Sequence, residues 1–298
     1  MTHTPICDEV AIKQNDVKGR YMITRKAFTK GAIIFAEAPI SIMMLDKQPR
    51  CHNATCLKQK PKGVNWCLGC RVVEYCSKEC QKQHWGTTHR KECKMFQATR
   101  ARYPSYVEIL QKFPHAIGII RLELAAKDET FRQTIAYKQY LGLRTQIHES
   151  PTHKLDAIAE VILCTLDNHP DAPKRQIQTL LGSYLSRAAR VAHYRRALSL
   201  WLTNAFDVYD TLRLDVEDFA IGLYPHMAMI EHSCVPNCIP MFNGTTMGIV
   251  CTRDMCAGEA ISIDYISDQG SQTEKRALLL QQYHFVCTCV LCTVENID

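Results

Sequence analysis

Two hydrophobic periods alternate along the chain. From about residue 100 to 200, apolar residues recur at helical spacing in KLDAIAEVILCTL and RQIQTLLGSYLSRAARVAHYRRALSLWL, where Leu181, Leu185, Ala188 and Ala192 fall on one face. The HPDAP segment at 169–173 reads as the turn between these helices. On either side the period shortens. GRYMITRKAFTKGAIIFAEAPISIMML predicts two or three strands with a turn at Lys30 and Gly31, and beyond residue 204 the runs MGIVCTRD and EAISIDYI read as strands, with Gly244 and Gly258 in the turns. Strands that stop and later resume predict one β-rich domain carrying insertions, hence an α+β protein.

Composition narrows the class. The chain has 298 residues, 46% hydrophobic and 22% charged, which suits a packed globular core. No apolar run approaches the roughly 18 residues that cross a bilayer; even GAIIFAEAPISIMML carries Glu37 and Pro39, so no membrane partner is expected. The first residues, MTHTPICDEV, lack a basic region followed by an apolar stretch, so the expected compartment is nucleus or cytoplasm. In such a reducing compartment, sixteen cysteines point to metal rather than to disulfides.

Seven cysteines fall between Cys51 and Cys93, and three more close the chain as CTCVLC at Cys287, Cys289 and Cys292. The first group reads C-x4-C, C-x2-C, C-x3-C and H-x3-C: Cys51 with Cys56, Cys67 with Cys70, Cys76 with Cys80, and His89 with Cys93. Eight ligands in four pairs make two closed tetrahedral zinc sites. Spacing allows either sequential sites or a cross-brace. SKECQKQHWGTTHRKEC suits a helix with Cys76 and Cys80 one turn apart and His89 and Cys93 likewise; His84 is a rival ligand, but it lies four residues from Cys80 rather than from Cys93. Residues 47–94 hold 11 Lys or Arg and 3 acidic groups, a balance of +8 against +6 for the whole chain. Seven thiolates and two zinc ions lower that to about +5. A basic module can approach nucleic acid or acidic protein, but no basic stripe interleaved with aromatics accompanies it, so nucleic acid is weakly supported.

YCSKEC at 75–80 with the closing HRKEC at 89–93 resembles a MYND zinc finger. The resemblance implies a cross-brace, with Cys51, Cys56, Cys76 and Cys80 on one zinc and Cys67, Cys70, His89 and Cys93 on the other. It also implies proline-rich peptides as partners. The opening C-x4-C is wider than the usual C-x2-C of that family.

Around the finger stand GRY at 19–21, EAP at 37–39, NAF at 204–206, GLYP at 222–225, HSCVPN at 232–237, GEAISIDY at 258–265 and YHFVCTCVLC at 283–292. This ordered set resembles the SET and MYND domain family (SMYD-type) over nearly the whole chain. The fold so implied is a β-rich SET domain split by the finger and a helical insertion and followed by a zinc-binding post-SET tail. Its segments are 1–50 and 204–268 for the SET domain, 51–93 for the finger, 94–203 for the helical insertion and 269–298 for the tail. The activity implied is methyl transfer from S-adenosylmethionine to a lysine side chain of a protein substrate, histone or otherwise. Tyr265 matches the catalytic tyrosine, and Phe206 and Tyr283 match aromatic walls of the lysine channel. Gly19, Arg20, Asn204, Glu231 and His232 match cofactor contacts, with Phe285 against the adenine. The terminal C-x-C-x2-C leaves a tetrahedral zinc one ligand short; in the family the cysteine of HSC completes it, here Cys234, for three zinc ions in all. Cys7, Cys164, Cys238, Cys251 and Cys256 are left as buried free thiols.

Three departures bear on catalysis. Glu231 stands where the family has asparagine, so an acceptor-only group replaces one that also donates. An acceptor can still face a cofactor ammonium, with added charge attraction. Tyr21 stands where a small residue often sits beside the cofactor. The chain stops six residues after Cys292, where the family usually continues into a helical domain that walls the substrate cleft. The competing reading is a zinc-dependent adaptor or transcriptional corepressor that keeps peptide binding with little catalysis.

Overall fold

Alternating apolar positions in the outer segments pair into short sheets, seen in a computed structural model that describes residues 4–15, 19–45, 50–59, 65–145, 152–167, 186–211, 218–266 and 270–294. The HPDAP turn, Leu181, Leu185 and the side chain of Cys7 lie outside the described residues. The chain divides into two units, Met1–Ala38 with Tyr224–Asp298, and Pro39–Leu223. Strands and helices are numbered along the chain.

In the first unit, β1 (Thr4–Cys7), β2 (Val10–Asn15) and β3 (Gly19–Thr24) form an antiparallel sheet in that order. A second sheet runs β4 (Ile33–Glu37), β10 (Thr246–Cys251), β9 (Cys238–Asn243), also antiparallel. Gly31 and Gly244 take positive φ at the turns ahead of β4 and β10, the backbone state that glycine occupies without steric cost. The two-residue strands β8 (Glu231–His232) and β11 (Ser262–Ile263) pair in parallel. Asn237 locks that pairing: its Oδ1 accepts from the Ser262 amide at 2.8 Å, and its Nδ2 donates to the Ala260 carbonyl at 2.8 Å. The loop carrying HSCVPN is thereby held beside the segment that ends in Tyr265. A short helix α9 (Gln272–Leu278) opens on a full capping box between Ser271 and Glu274 and runs into a π turn at Leu279–Tyr283; α10 (Val290–Val294) carries the last cysteine.

In the second unit, β5 (Ser41–Met44), β7 (Asp218–Leu223) and β6 (Ala205–Tyr209) form an antiparallel sheet in the order β5-β7-β6. The cysteine-rich stretch that begins at Cys51 runs into α1 (Lys78–His84), a π turn at Trp85–His89 and α2 (Arg90–Arg102). Then follow α3 (Tyr106–Lys112), α4 (His115–Ala125), α5 (Glu129–Gln133), α6 (Ile135–Leu141), α7 (Thr152–Asp167) and α8 (Arg187–Asn204). Helix α4 is nearly all apolar and sits inside: Ile119, Ile120 and Leu122 are buried, and Gly118 lies under the Trp201 ring of α8. Ser41 of β5 donates to the Gly118 carbonyl at 2.8 Å, tying strand to helix.

One expected face is corrected. Helix α8 starts at Arg187 behind the N-cap Ser186, and Ala188 and Ala192 are exposed. Its buried side is set further along, by Tyr194, Ala197, Leu198, Leu200 and Trp201, because the bulkier residues dominate the packing against α4 and α7.

Candidate metal centres and active site

Short loops in the second unit gather eight ligand atoms into two groups. Cys51, Cys56, Cys76 and Cys80 form one, and Cys67, Cys70, His89 and Cys93 the other, each with its ligand atoms within 4.8 Å of one another. The four pairs therefore interleave, first with third and second with fourth. Contacts run 3.5 Å for Cys56–Cys76 and Cys76–Cys80, 3.6 Å for Cys67–Cys93, and 3.6 Å from Cys70 Sγ to His89 Nε2. A tetrahedral ion with Zn–S bonds of about 2.3 Å has S···S edges of about 3.8 Å, so both size and donor chemistry fit zinc.

Local backbone explains the grouping. Arg71 takes φ 57° just after Cys70, turning the chain so that the Val72 amide donates to Cys70 Sγ at 3.4 Å. Ser77 caps α1, its side chain accepting from the Cys80 amide, so Cys76 precedes the helix instead of sharing it as the spacing suggested. The rival His84 points elsewhere. Its Nδ1 lies 2.9 Å from the Tyr75 hydroxyl, and its ring stacks on His89 at a centroid distance of 5.6 Å. Burial, then the Arg121 charge, pushes the His84 pKa down to about 3, so the ring is a neutral acceptor for Tyr75.

His89 is oriented from behind. Its Nδ1 meets Glu92 Oε1 at 2.9 Å, and Glu92 takes two bonds from Arg121, at 2.8 and 3.0 Å. Arg121 also donates to the Ile42 carbonyl of β5 at 2.8 Å. A carboxylate behind a ligating histidine selects the tautomer that leaves Nε2 free to bind.

The first unit holds the third group, Cys234, Cys287, Cys289 and Cys292. Cys234 Sγ lies 3.9 Å from Cys287 Sγ and 3.7 Å from Cys292 Sγ, again tetrahedral edges. Against the upward push of burial, the Cys292 and Cys234 backbone amides draw the Cys289 thiol down to about 6. The cluster shares a small core with Ile266 and Leu279, on which Tyr265, Tyr283 and Phe285 pack.

Tyr265 and Phe285 stand beside His232, and Tyr283 beside Tyr265. Ring centroids are 5.3 Å apart for His232–Tyr265, 6.0 Å for His232–Phe285 and 4.9 Å for Tyr265–Tyr283. The Tyr265 hydroxyl donates to the Ile230 carbonyl. Burial first, then Tyr283 and Glu231, raises its pKa above the ordinary tyrosine value, so it keeps its proton at neutral pH. Burial lowers the His232 pKa despite Asp264, which favours a neutral ring. Glu231 sits on β8 opposite Ser262, half-buried. Gly19 is buried at the start of β3 with φ 72°, opposite Asn15, and Arg20 and Tyr21 follow it, both half-buried. Asn204 and Phe206 belong to the second unit. Asn204 ends α8 and donates to the Leu200 and Arg144 carbonyls at 2.9 and 3.0 Å, and Phe206 lies opposite Gly222 in β6.

Three functional side chains escaped the sequence reading. Glu92, Arg121 and Gln272 touch ligands, or groups behind ligands, yet no motif spacing marks them; only Glu92, three residues after His89, carried a local signal. The remaining thiols divide. Cys238 and Cys251 are buried cross-strand partners, but Cys164 is half-buried and Cys256 exposed, since Cys256 lies in the tight turn before Gly258.

Comparison with known proteins adds a family. The SET domain model matches residues 19–266. Histone-lysine N-methyltransferase SMYD3 of Mus musculus is 25% identical over 269 residues, 90% of this chain and 58% of that protein. N-lysine methyltransferase SMYD2 of Mus musculus is 24% identical over 289 residues, 94% and 59%. The chain thus spans less than two thirds of the curated relatives it matches. A solved structure described as the SET domain of LSMT bound to MeLysine and AdoHcy is 14% identical, covering 96% of this chain and 54% of that one, with a TM-score of 0.43.

Proposed function

The chain belongs to the SET domain family, and from that premise we propose that it is an S-adenosylmethionine-dependent protein-lysine N-methyltransferase with a MYND finger that captures proline-rich segments of partner proteins. One observation carries the reading: Tyr265, Tyr283, Phe285 and His232 form a single aromatic group seated on the third cysteine cluster. The segment boundaries expected from the sequence are kept: 1–50 and 204–268 for the SET domain, 51–93 for the finger, 94–203 for the helical insertion and 269–298 for the tail. A nuclear or cytoplasmic setting, where lysine-bearing proteins and reduced thiols coexist, belongs to the same proposal.

The cofactor, when bound, supplies the methyl group, and the transfer is an in-line displacement whose rate depends on alignment. Side chains in the first unit suit such a ligand: Phe285 offers an apolar face, and Glu231 an accepting carboxylate for an ammonium group. Gly19, Arg20, Asn204 and His232 are assigned as cofactor contacts by their places in the ordered motifs. Tyr265 stays protonated and can aim its hydroxyl at the reacting centre. Phe206 and Tyr283 are assigned as apolar walls. Such walls lower the lysine pKa from about 10.4 by making the ammonium costly, which yields the neutral nucleophile.

Titration calorimetry of the zinc-loaded chain with S-adenosylmethionine tests this. Binding, together with methyl transfer to a lysine peptide that Tyr265→Phe abolishes, is the expected result. No heat at millimolar cofactor overturns it. Glu231 favours a second reading, the adaptor, because it removes a donor from the cofactor side. If Glu231→Asn binds cofactor more tightly than the natural chain, the adaptor reading gains; equal or weaker binding makes Glu231 a working variant.

A further inference from the structure

Among the described residues, Gln272 reaches the third cysteine cluster from outside its own ligands and their neighbours. Gln272 Nε2 lies 3.0 Å from Cys234 Sγ and 2.9 Å from Cys292 Sγ, so its two amide hydrogens can each serve one sulfur. A divalent ion held by four thiolates carries a net charge of −2, and N–H donors aimed at the sulfurs spread that charge. The Ser271–Glu274 capping box fixes where α9 begins and thus where Gln272, its first residue, stands.

Cys234 takes a second donor. The Tyr265 amide donates to His232 Nδ1 at 3.1 Å, so the ring proton sits on Nε2, which lies 3.4 Å from Cys234 Sγ. Asp264 Oδ1 is 3.6 Å from Nδ1, too far to reverse that tautomer; it accepts the Ile266 amide at 3.0 Å, while Oδ2 takes Lys275 at 3.1 Å. A chain of hydrogen bonds therefore runs from Gln272 through the Cys234 sulfur and His232 to the backbone of Tyr265.

We propose that Gln272 is a positioning residue: with His232 it stabilises the thiolates of the third cluster, and through that sulfur it ties metal occupancy to the placement of Tyr265. That Tyr265 acts on substrate rests on the function proposed above; the thiolate contacts do not.

Two variants of the full, zinc-loaded chain test it. Gln272→Ala removes the donor, and Gln272→Glu keeps the shape while replacing the donor with a charge. Expected in both is faster iodoacetamide labelling of Cys234 and Cys292, mapped by mass spectrometry, with labelling of the finger cysteines unchanged. One zinc equivalent should reach a chromophoric chelator more readily, its affinity falling on the order of 10-fold or more, with the larger loss in Gln272→Glu. The two finger equivalents, unaltered, report that the chain is folded. Unchanged labelling and zinc release in both variants overturn the proposal. Changed labelling with an unaltered rate of methyl transfer, in a chain that catalyses it, overturns the tie to Tyr265. If the natural chain binds no cofactor, the function fails while the labelling still decides the role of Gln272.

Discussion

Glu92 and Arg121 show how much rests on single side chains. Glu92 is 0% exposed, and the Arg121 pair holds its carboxylate well below the usual range against the upward push of burial. Removing one partner of a buried pair strands the other charge, so Arg121→Met should cost about 3–5 kcal/mol in a denaturant titration. Release of the zinc held by His89 should also quicken, because Glu92 would lose its anchor. His84 gives a pH prediction. Its pKa is about 3 folded against about 6.5 unfolded, so the unfolded chain binds the extra proton between those values. The stability it supports is present above pH 6.5 and is lost as pH falls toward 3. From pH 7.5 to 5.5 the denaturant midpoint should fall more steeply for the natural chain than for His84→Asn, whose carbonyl can still accept from Tyr75. At this scale the cysteines and His89 were legible because ligand spacing is local. Arg121 and Gln272 were not, since Glu92 lies 29 residues from Arg121 and the two sulfurs lie 20 and 38 residues from Gln272.

Helices supply the next scale. The π turn at Trp85–His89 inserts one extra residue, which rotates the following helix by about 100°. Cys80 before it, His89 as its last residue and Cys93 after it can then serve different clusters from one continuous helix. Helical periodicity revealed the helix but not the insertion, because WGTTH carries no apolar stripe to betray it. Two glycines of this unit should respond in opposite directions. A Cβ on Gly118 would lie 2.3 Å from the Trp201 ring, so Gly118→Ala forces α4 and α8 apart and should cost about 1–3 kcal/mol. Gly86 has open space around its Cβ position, and Gly86→Ala should gain about 0.5–1 kcal/mol through helix propensity. Thermal melts of the two variants check the signs.

Among the described residues the candidate metal clusters divide between the units, two in Pro39–Leu223 and one in the other. Native mass spectrometry should find three zinc ions, and Cys289→Ser should retain two. Chelation should unfold the cysteine-rich segments, since a preformed site is lost with its ion. Sequence by itself determined the α+β class, the family resemblance, the ligand inventory and the ordered motifs, because ligand spacing, apolar period and motif order are all properties of short stretches. Ligand spacing alone allowed sequential or interleaved finger sites and offered His84 beside His89. The family resemblance implied the cross-brace and Cys234 beside the terminal cysteines; the contacts that form these groups, and the turn of His84 toward Tyr75, are decided by the tertiary structure. The physical reason is range: spacing reports how a loop closes on itself. Which closed loops meet is set by the parallel pairing of β8 with β11, the Asn237 lock and the buried Glu92–Arg121 pair, and these are energies of contact between distant segments.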